Sequence, residues 1–215
     1  MNPLPQKAKQ AAGILLGVLI LWVGYYGSYL PMRKSKAFIS TLRGLSEHVR
    51  SLRDFEDAVS GPLDMPSPIG QEELVRNVGN LILGTIARPE TSPEVARAAA
   101  RFVENYFEPI IRRGKGMSFE QDYYILGLMN QVVFARTGDE QYFKTAKEYY
   151  RRGLELGPRR PQSLYGIFDI YRAEGDVQKT VETANQILSQ WPDDERVRRT
   201  LEEFLATGTQ PSPAP

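Results

Sequence analysis

Residues 146–194 read AKEYYRRGLELGPRRPQSLYGIFDIYRAEGDVQKTVETANQILSQWPDD, and their spacing decides the fold. Pro158 and Pro192 stand thirty-four residues apart, as do Gly153 and Ile187, and Leu154 and Leu188. Gly175-Asp176 marks a turn between two helical stretches, and Gly138-Asp139 marks a matching turn upstream. The two turns are thirty-seven residues apart, so the earlier unit carries a small insertion after its turn. Apolar residues recur at helical intervals, and the alternation of a strand is absent.

A period of thirty-four residues is that of a repeat built from helix–turn–helix units. At this point the chain resembles the tetratricopeptide repeat family. In the unit at 161–194, Tyr171 takes the family's aromatic position on the first helix, Gly175-Asp176 the turn, and Pro192 the closing proline. In the earlier unit, Leu126-Gly127 match the family's Leu-Gly pair, and Ala146, Tyr150, Gly153 and Pro158 match the second-helix positions. The second unit departs from the pattern with Ile167-Phe168 in place of Leu-Gly and Thr180 in place of a small alanine. The first unit's helices run longer than the pattern by about a turn.

Small residues such as Gly127, Ala146 and Gly153 let two helices cross closely, and Tyr150, Leu154, Tyr171 and Leu188 fill the space around the crossings. The segment 118–206 is therefore expected to form helix pairs closed by a polar-faced capping helix, ERVRRTLEEFL at 195–205. The Pro/Thr/Ser-rich tail at 207–215 is expected to be disordered. The resemblance implies a partner-binding groove lined by the first helix of each pair. Its positions are Gln162, Tyr165, Asp169 and Arg172, with Tyr124 and Leu128 from the earlier unit and Arg196 and Arg199 from the cap. Tyrosine and arginine are the types that anchor partners.

Upstream, region 70–117 reads as helices that pack on the repeats. The helix at 71–87 buries Leu74, Val78, Leu81, Ile82 and Ile86 and stops before Arg88-Pro89. Ser92-Pro93-Glu94 opens the next helix with a hydroxyl cap, a first-turn proline and an acid against the dipole. Gly114 and Gly116 end it. Further up, Phe38, Leu42, Leu45, Val49, Leu52 and Val59 form a seam of nearly 3.5-residue period on an amphipathic helix at 35–60. The seam either packs on the domain or joins two chains as a homodimer. Ser60-Gly61-Pro62 is expected to stop this helix, and the Pro-rich stretch at 61–70 to be a loop.

The first ten residues read as a short tail, and 11–31 as a transmembrane helix. Residues 11–30 (AAGILLGVLILWVGYYGSYL) are twenty residues without a charge. Such a helix spans about 30 Å, the thickness of a hydrocarbon core. Trp22, Tyr25, Tyr26 and Tyr29 gather at one end as an interfacial belt, and Pro31 is expected to end the stretch. A cleaved signal peptide with Lys7 and Lys9 as its basic region is the alternative. The length of the run and the lack of a small-residue cleavage site favour a retained single-pass anchor. Arg33, Lys34 and Lys36 follow at once and suit anionic lipid headgroups. Counting near charges favours the cytoplasmic side for the soluble part, by a single charge. Gly13 and Gly17 form a small-xxx-small pair.

Composition closes off several classes of chemistry. Lys plus Arg (27) balances Asp plus Glu (26) in 215 residues, against a nucleic-acid binder. No cysteine is present, which excludes disulfides, thiolate metal sites and cysteine nucleophiles. His48 alone cannot build a multi-histidine metal site and reads as a surface residue. Arg112-Arg113-Gly114-Lys115-Gly116 lacks the spacing of a phosphate-binding loop. Glu120 and Asp122, two residues apart, do not share a helix face. No catalytic residue, metal or cofactor is expected, and the partners expected are a protein or peptide and membrane lipid.

The order of features also resembles the C-terminal tail of bacterial O-antigen ligase or polymerase-like membrane proteins. That resemblance is carried by YYGSYLPMRKSKAF, IGQEELVRNV and the repeat stretch. It implies a bacterial cell-envelope setting and, as a rival reading, a piece of a glycan-assembly enzyme without its catalytic membrane part. The leading expectation is an all-α, membrane-anchored interaction module without catalysis of its own.

Overall fold

The computed structural model describes residues 5–116 and 118–207. The expected disordered tail from 208 onward lies outside the described residues, as do the side chains of Ser46 and His48 and with them the expected surface position of His48. Among the described residues the secondary structure is helical, without strands. The chain divides into two compact units, Met1–Asn77 and Val78–Pro215.

In the first unit, helix α1 (Gln6–Gly24) begins inside the stretch expected as a tail. It passes through a π-turn (Tyr25–Tyr29) into α2 (Leu30–His48) without a break. Pro31 does not end the helix, contrary to its reading as a stop. The π-turn explains this. Proline lacks an N–H and its ring crowds the carbonyl one turn back, and a widened turn absorbs both defects. Here the N–H of Leu30 reaches back to the carbonyl of Tyr25.

The seam at 35–60 is likewise corrected. α2 ends at His48, Val49 is extended, and α3 (Leu52–Asp64) starts afresh. Ser51 caps α3 in a reciprocal box: its side chain accepts from the Asp54 N–H, and Asp54 accepts from the Ser51 N–H at 3.0 Å. The seam is thus folded into a hairpin in which α2 packs on α3, and a continuous coiled-coil face for a homodimer is not formed. α3 also runs on through Gly61-Pro62. Pro62 and Leu63 are buried, and that burial offsets the hydrogen bond proline cannot make.

Lys34 is the third correction. Expected at the lipid headgroups, it is only 3% exposed. Its ammonium donates to the carbonyls of Leu63 (3.0 Å) and Met65 (2.7 Å) and to Gln71 Oε1. It therefore serves the last turn of α3, where unpaired carbonyls favour a cation. Burial lowers its pKa, and the nearby Asp64 charge opposes that shift.

α4 (Gln71–Ile86) carries the boundary between the units. In the second unit, α5 (Pro93–Arg113) is capped by Ser92, whose side chain accepts from the Val95 N–H, and ends on the left-handed Gly114. α6 (Phe119–Thr137) and α7 (Glu140–Leu156) form the first helix pair, and α8 (Pro161–Glu174) and α9 (Val177–Gln190) the second. α10 (Glu195–Ala206) closes the stack. Each helix from α5 onward packs on the next, and α6 also meets α8. The intrapair turns are Gly138 (φ 67°) and Gly175 (φ 71°), left-handed conformations that glycine adopts without steric cost. Asp139, Asp176 and Asp194 cap the following helices through their carboxylates. α7 has 17 residues and α9 has 14, which accounts for the 37-residue spacing of the turns.

Candidate functional site

The core of the helix pairs fixes the site. The Tyr150 ring, fully buried on α7, lies between Gly127 of α6 and Gly166 of α8. A Cβ would stand 2.8 Å from the ring at Gly127 and 2.4 Å at Gly166. Gly166 was not among the small residues singled out in the sequence. It stands one position before Ile167-Phe168, so the glycine sought in that pair is displaced by two residues. Thr180 fits the expected alanine position because its hydroxyl donates to the Asp176 carbonyl at 2.7 Å, leaving its methyl to pack. Tyr150 Oη donates to Gln131 Oε1 at 2.7 Å, and burial pushes its pKa far up.

Four expected groove residues come together across α8 and α10. Arg172 Nη2 donates to Asp169 Oδ1 at 3.2 Å. Arg196 Nη2 approaches Asp169 Oδ2 at 4.0 Å, and its guanidinium lies 5.9 Å from the Tyr165 ring centre. Tyr165 donates its hydroxyl to Asp194. Burial and that bond push the Tyr165 pKa up to about 12, while Tyr165 first, then the Val197 N–H, hold Asp194 below the usual carboxylate range. Among the described residues, Arg172 Nε is buried without a hydrogen-bond partner.

The other positions lie apart. Tyr124 is half-buried on α6, its ring 6.5 Å from that of Tyr150. Leu128 is half-buried on the same helix, Gln162 is exposed in the first turn of α8, and Arg199 turns toward Glu203 of its own helix at 4.0 Å. Sequence reasoning missed Trp191 and Asp194. Trp191 stacks on Tyr165 with centroids 6.3 Å apart, and Asp194 serves α10 and Tyr165 at once. The tryptophan beside the closing Pro192 was the available signal.

Outside this cluster, a cleft of about 500 Å³ opens among α7, α8 and α9, lined by Leu154, Ile167, Tyr171, Lys179 and neighbours. The ammonium groups of Lys147 and Lys179 lie 5.2 and 5.4 Å from the Tyr171 ring centre. Each is also held by an acid, Glu174 and Asp176 respectively, at 2.7 and 2.8 Å. Glu120 in the first turn of α6 pairs with Arg160 at 2.8 Å, and Asp122 is buried. Among the described residues, no group of three or more His, Asp or Glu is placed to hold a metal ion.

The chain is similar to photosystem I assembly protein Ycf3 from Cyanophora paradoxa. The two are 30% identical over 89 residues, which is 41% of this chain and 47% of the relative. The chain thus matches about half the length of that curated relative. No protein-family model matches the chain, and no solved structure matches it. The stacked helix pairs, the thirty-four-residue recurrence from the start of α8 to that of α10, and the similarity to that assembly protein support the tetratricopeptide resemblance. Neither supports the resemblance to O-antigen ligase tails.

Proposed function

We propose that this chain is a membrane-anchored interaction module whose helix pairs hold a protein or peptide partner beside the bilayer, with no catalysis of its own. The observation that carries the reading is the gathering of Tyr165, Asp169, Arg172 and Arg196 across α8 and α10. Aromatic and guanidinium groups on a rigid helical surface are the usual anchors of a partner. The similarity to an assembly protein adds a role: keeping a polypeptide in place while a larger complex is built.

The anchor is α1. Its large apolar residues from Ile14 to Val23 are all about half exposed or more, and they face every direction. A helix apolar on all sides needs a non-aqueous cover, and this one is long and apolar enough to cross a membrane. The soluble part would then stand on the cytoplasmic side of the envelope membrane. Arg33 and Lys36, both exposed, remain for lipid headgroups.

The test is affinity capture from detergent extracts with the wild type and with Tyr165→Ala/Arg172→Ala, quantified by mass spectrometry. Losing such anchors costs about 2 kcal/mol or more, roughly a thirtyfold loss of affinity, so the true partner should drop out. Identical partner lists from a double variant that is folded by circular dichroism would overturn the groove.

A further inference from the structure

The hairpin of the first unit returns the chain to the level of the anchor. From Lys34 to the end of α2 the helix climbs about 21 Å, and the thirteen residues of α3 descend nearly as far. The Lys34 bonds to Leu63, Met65 and Gln71 fix where that descent ends. Both ends of the loop at 65–70 are therefore tied to one ammonium. That ammonium belongs to a residue only four positions beyond Leu30, about 6 Å along the helix axis. The headgroup zone extends about 5–8 Å beyond the hydrocarbon on each side.

The loop reads MPSPIG and carries no charge. Pro66 and Pro68 restrict its backbone. Ser67 Oγ donates to the Ile69 carbonyl at 2.7 Å and accepts from the Ile69 N–H at 3.4 Å, closing a tight turn around the tip. Ile69 is 61% exposed. A single exposed isoleucine is ordinary on a protein surface. One held on a rigid, uncharged loop at the height of the headgroups, on the same unit as the exposed cations Arg33 and Lys36, has an apolar cover beside it.

We infer that the loop at 65–70 is a second lipid contact, with Ile69 inserted among the headgroups of an anionic bilayer and Arg33 and Lys36 facing the lipid phosphates. The contact rests on the anchor reading of α1. It fixes the hairpin against the membrane surface, so that α2 and α3 rise from the bilayer at a set angle instead of swivelling on the anchor. Lys34 does not touch lipid; it holds the loop down.

The chain has no cysteine, so a single introduced one carries a label without further changes. Ile69→Cys, Leu19→Cys and Arg53→Cys, each bearing an environment-sensitive fluorophore, are reconstituted as full chains into vesicles of phosphatidylcholine and phosphatidylglycerol. Leu19 lies in the middle of the apolar run, and Arg53 is exposed at the far end of the hairpin. The expected result is blue-shifted emission at position 69, quenched about twofold more by a spin label near the headgroup than by one deep in the acyl chains. Position 19 should show the reverse preference, and position 53 should emit as in water. Lipid-like emission at 19 with water-like emission at 69 would overturn the loop contact and leave the anchor standing. Water-like emission at both positions would remove both.

Discussion

Tyr150 shows how one side chain sets the geometry of the repeat. Its ring fills the space between three helices because Gly127 and Gly166 offer no Cβ. Alanine at either position brings two opposing terms. It gains about 1 kcal/mol of helix propensity, and it drives a methyl to 2.8 or 2.4 Å from a ring that is fully buried and cannot yield. Overpacking of this kind costs about 1–3 kcal/mol, so the clash wins, and more clearly at Gly166. Gly61 supplies the control: it lies in helical α3, and a methyl there would meet nothing within 4 Å. Thermal unfolding followed by circular dichroism should rank Gly61→Ala above the wild type, then Gly127→Ala, then Gly166→Ala. A Gly166→Ala protein as stable as wild type would show that the helices can part without loss.

Between elements, a half-buried acid on α5, Glu104, meets a buried amide on α6, Asn130. Asn130 Nδ2 donates to Glu104 Oε1 at 2.8 Å and to the Leu126 carbonyl at 2.9 Å. Burial raises the Glu104 pKa above its ordinary value of 4.5; the Asn130 bond and the Arg101 charge oppose the shift. Below the ordinary value the carboxyl is protonated in both states. As pH rises, the unfolded chain ionises first, and the native state loses stability until its own raised pKa is passed. Glu104→Gln keeps an acceptor for Asn130 and carries no charge. Its urea midpoint should exceed that of the wild type at neutral pH, and the difference should vanish on the acid side. An equal gain at all pH values would place the effect in packing instead. Elements of this kind differ in how far the sequence discloses them. Turns and caps such as Gly138, Gly175, Ser92 and Gly114 were readable because a few adjacent residues decide them. The shared helix of Tyr165, Asp169 and Arg172 was readable in the same way, since all three lie within α8. The break at 49–51 was also local, written as Ser51-x-x-Asp54, but the apolar seam running across it masked the box. The helix through Pro31, the burial of Lys34 and the service of Asp194 to Tyr165 were not readable. Each depends on a partner tens of residues away or on a backbone adjustment that no side chain announces.

At the scale of the whole molecule, the proposed anchoring gives Lys34 two roles, because a charge that would help to orient the anchor is also one that folding withdraws. Arg33, Lys34, Lys36 and Arg43 follow the apolar run, and Lys7 and Lys9 precede it. On that proposal, orientation would be chosen as the chain enters the bilayer, before α3 forms, so Lys34 would count as a free cation at that moment. Once the hairpin closes, the same ammonium is buried against the carbonyls of Leu63 and Met65. Lys34→Met separates these two uses. It should lower the fraction of chains whose second unit faces the cytoplasm, as read by protease accessibility in sealed vesicles of known sidedness. It should also leave two carbonyls at the end of α3 unserved, at a cost of about 1–3 kcal/mol to the hairpin, visible as faster amide exchange in α3. Lys34→Arg keeps the insertion charge but not the compact ammonium, so it should preserve orientation and still loosen α3. If Lys34→Met changes α3 exchange and leaves the orientation untouched, the near charges do not choose the side, and the cytoplasmic placement of the interaction surface loses its support.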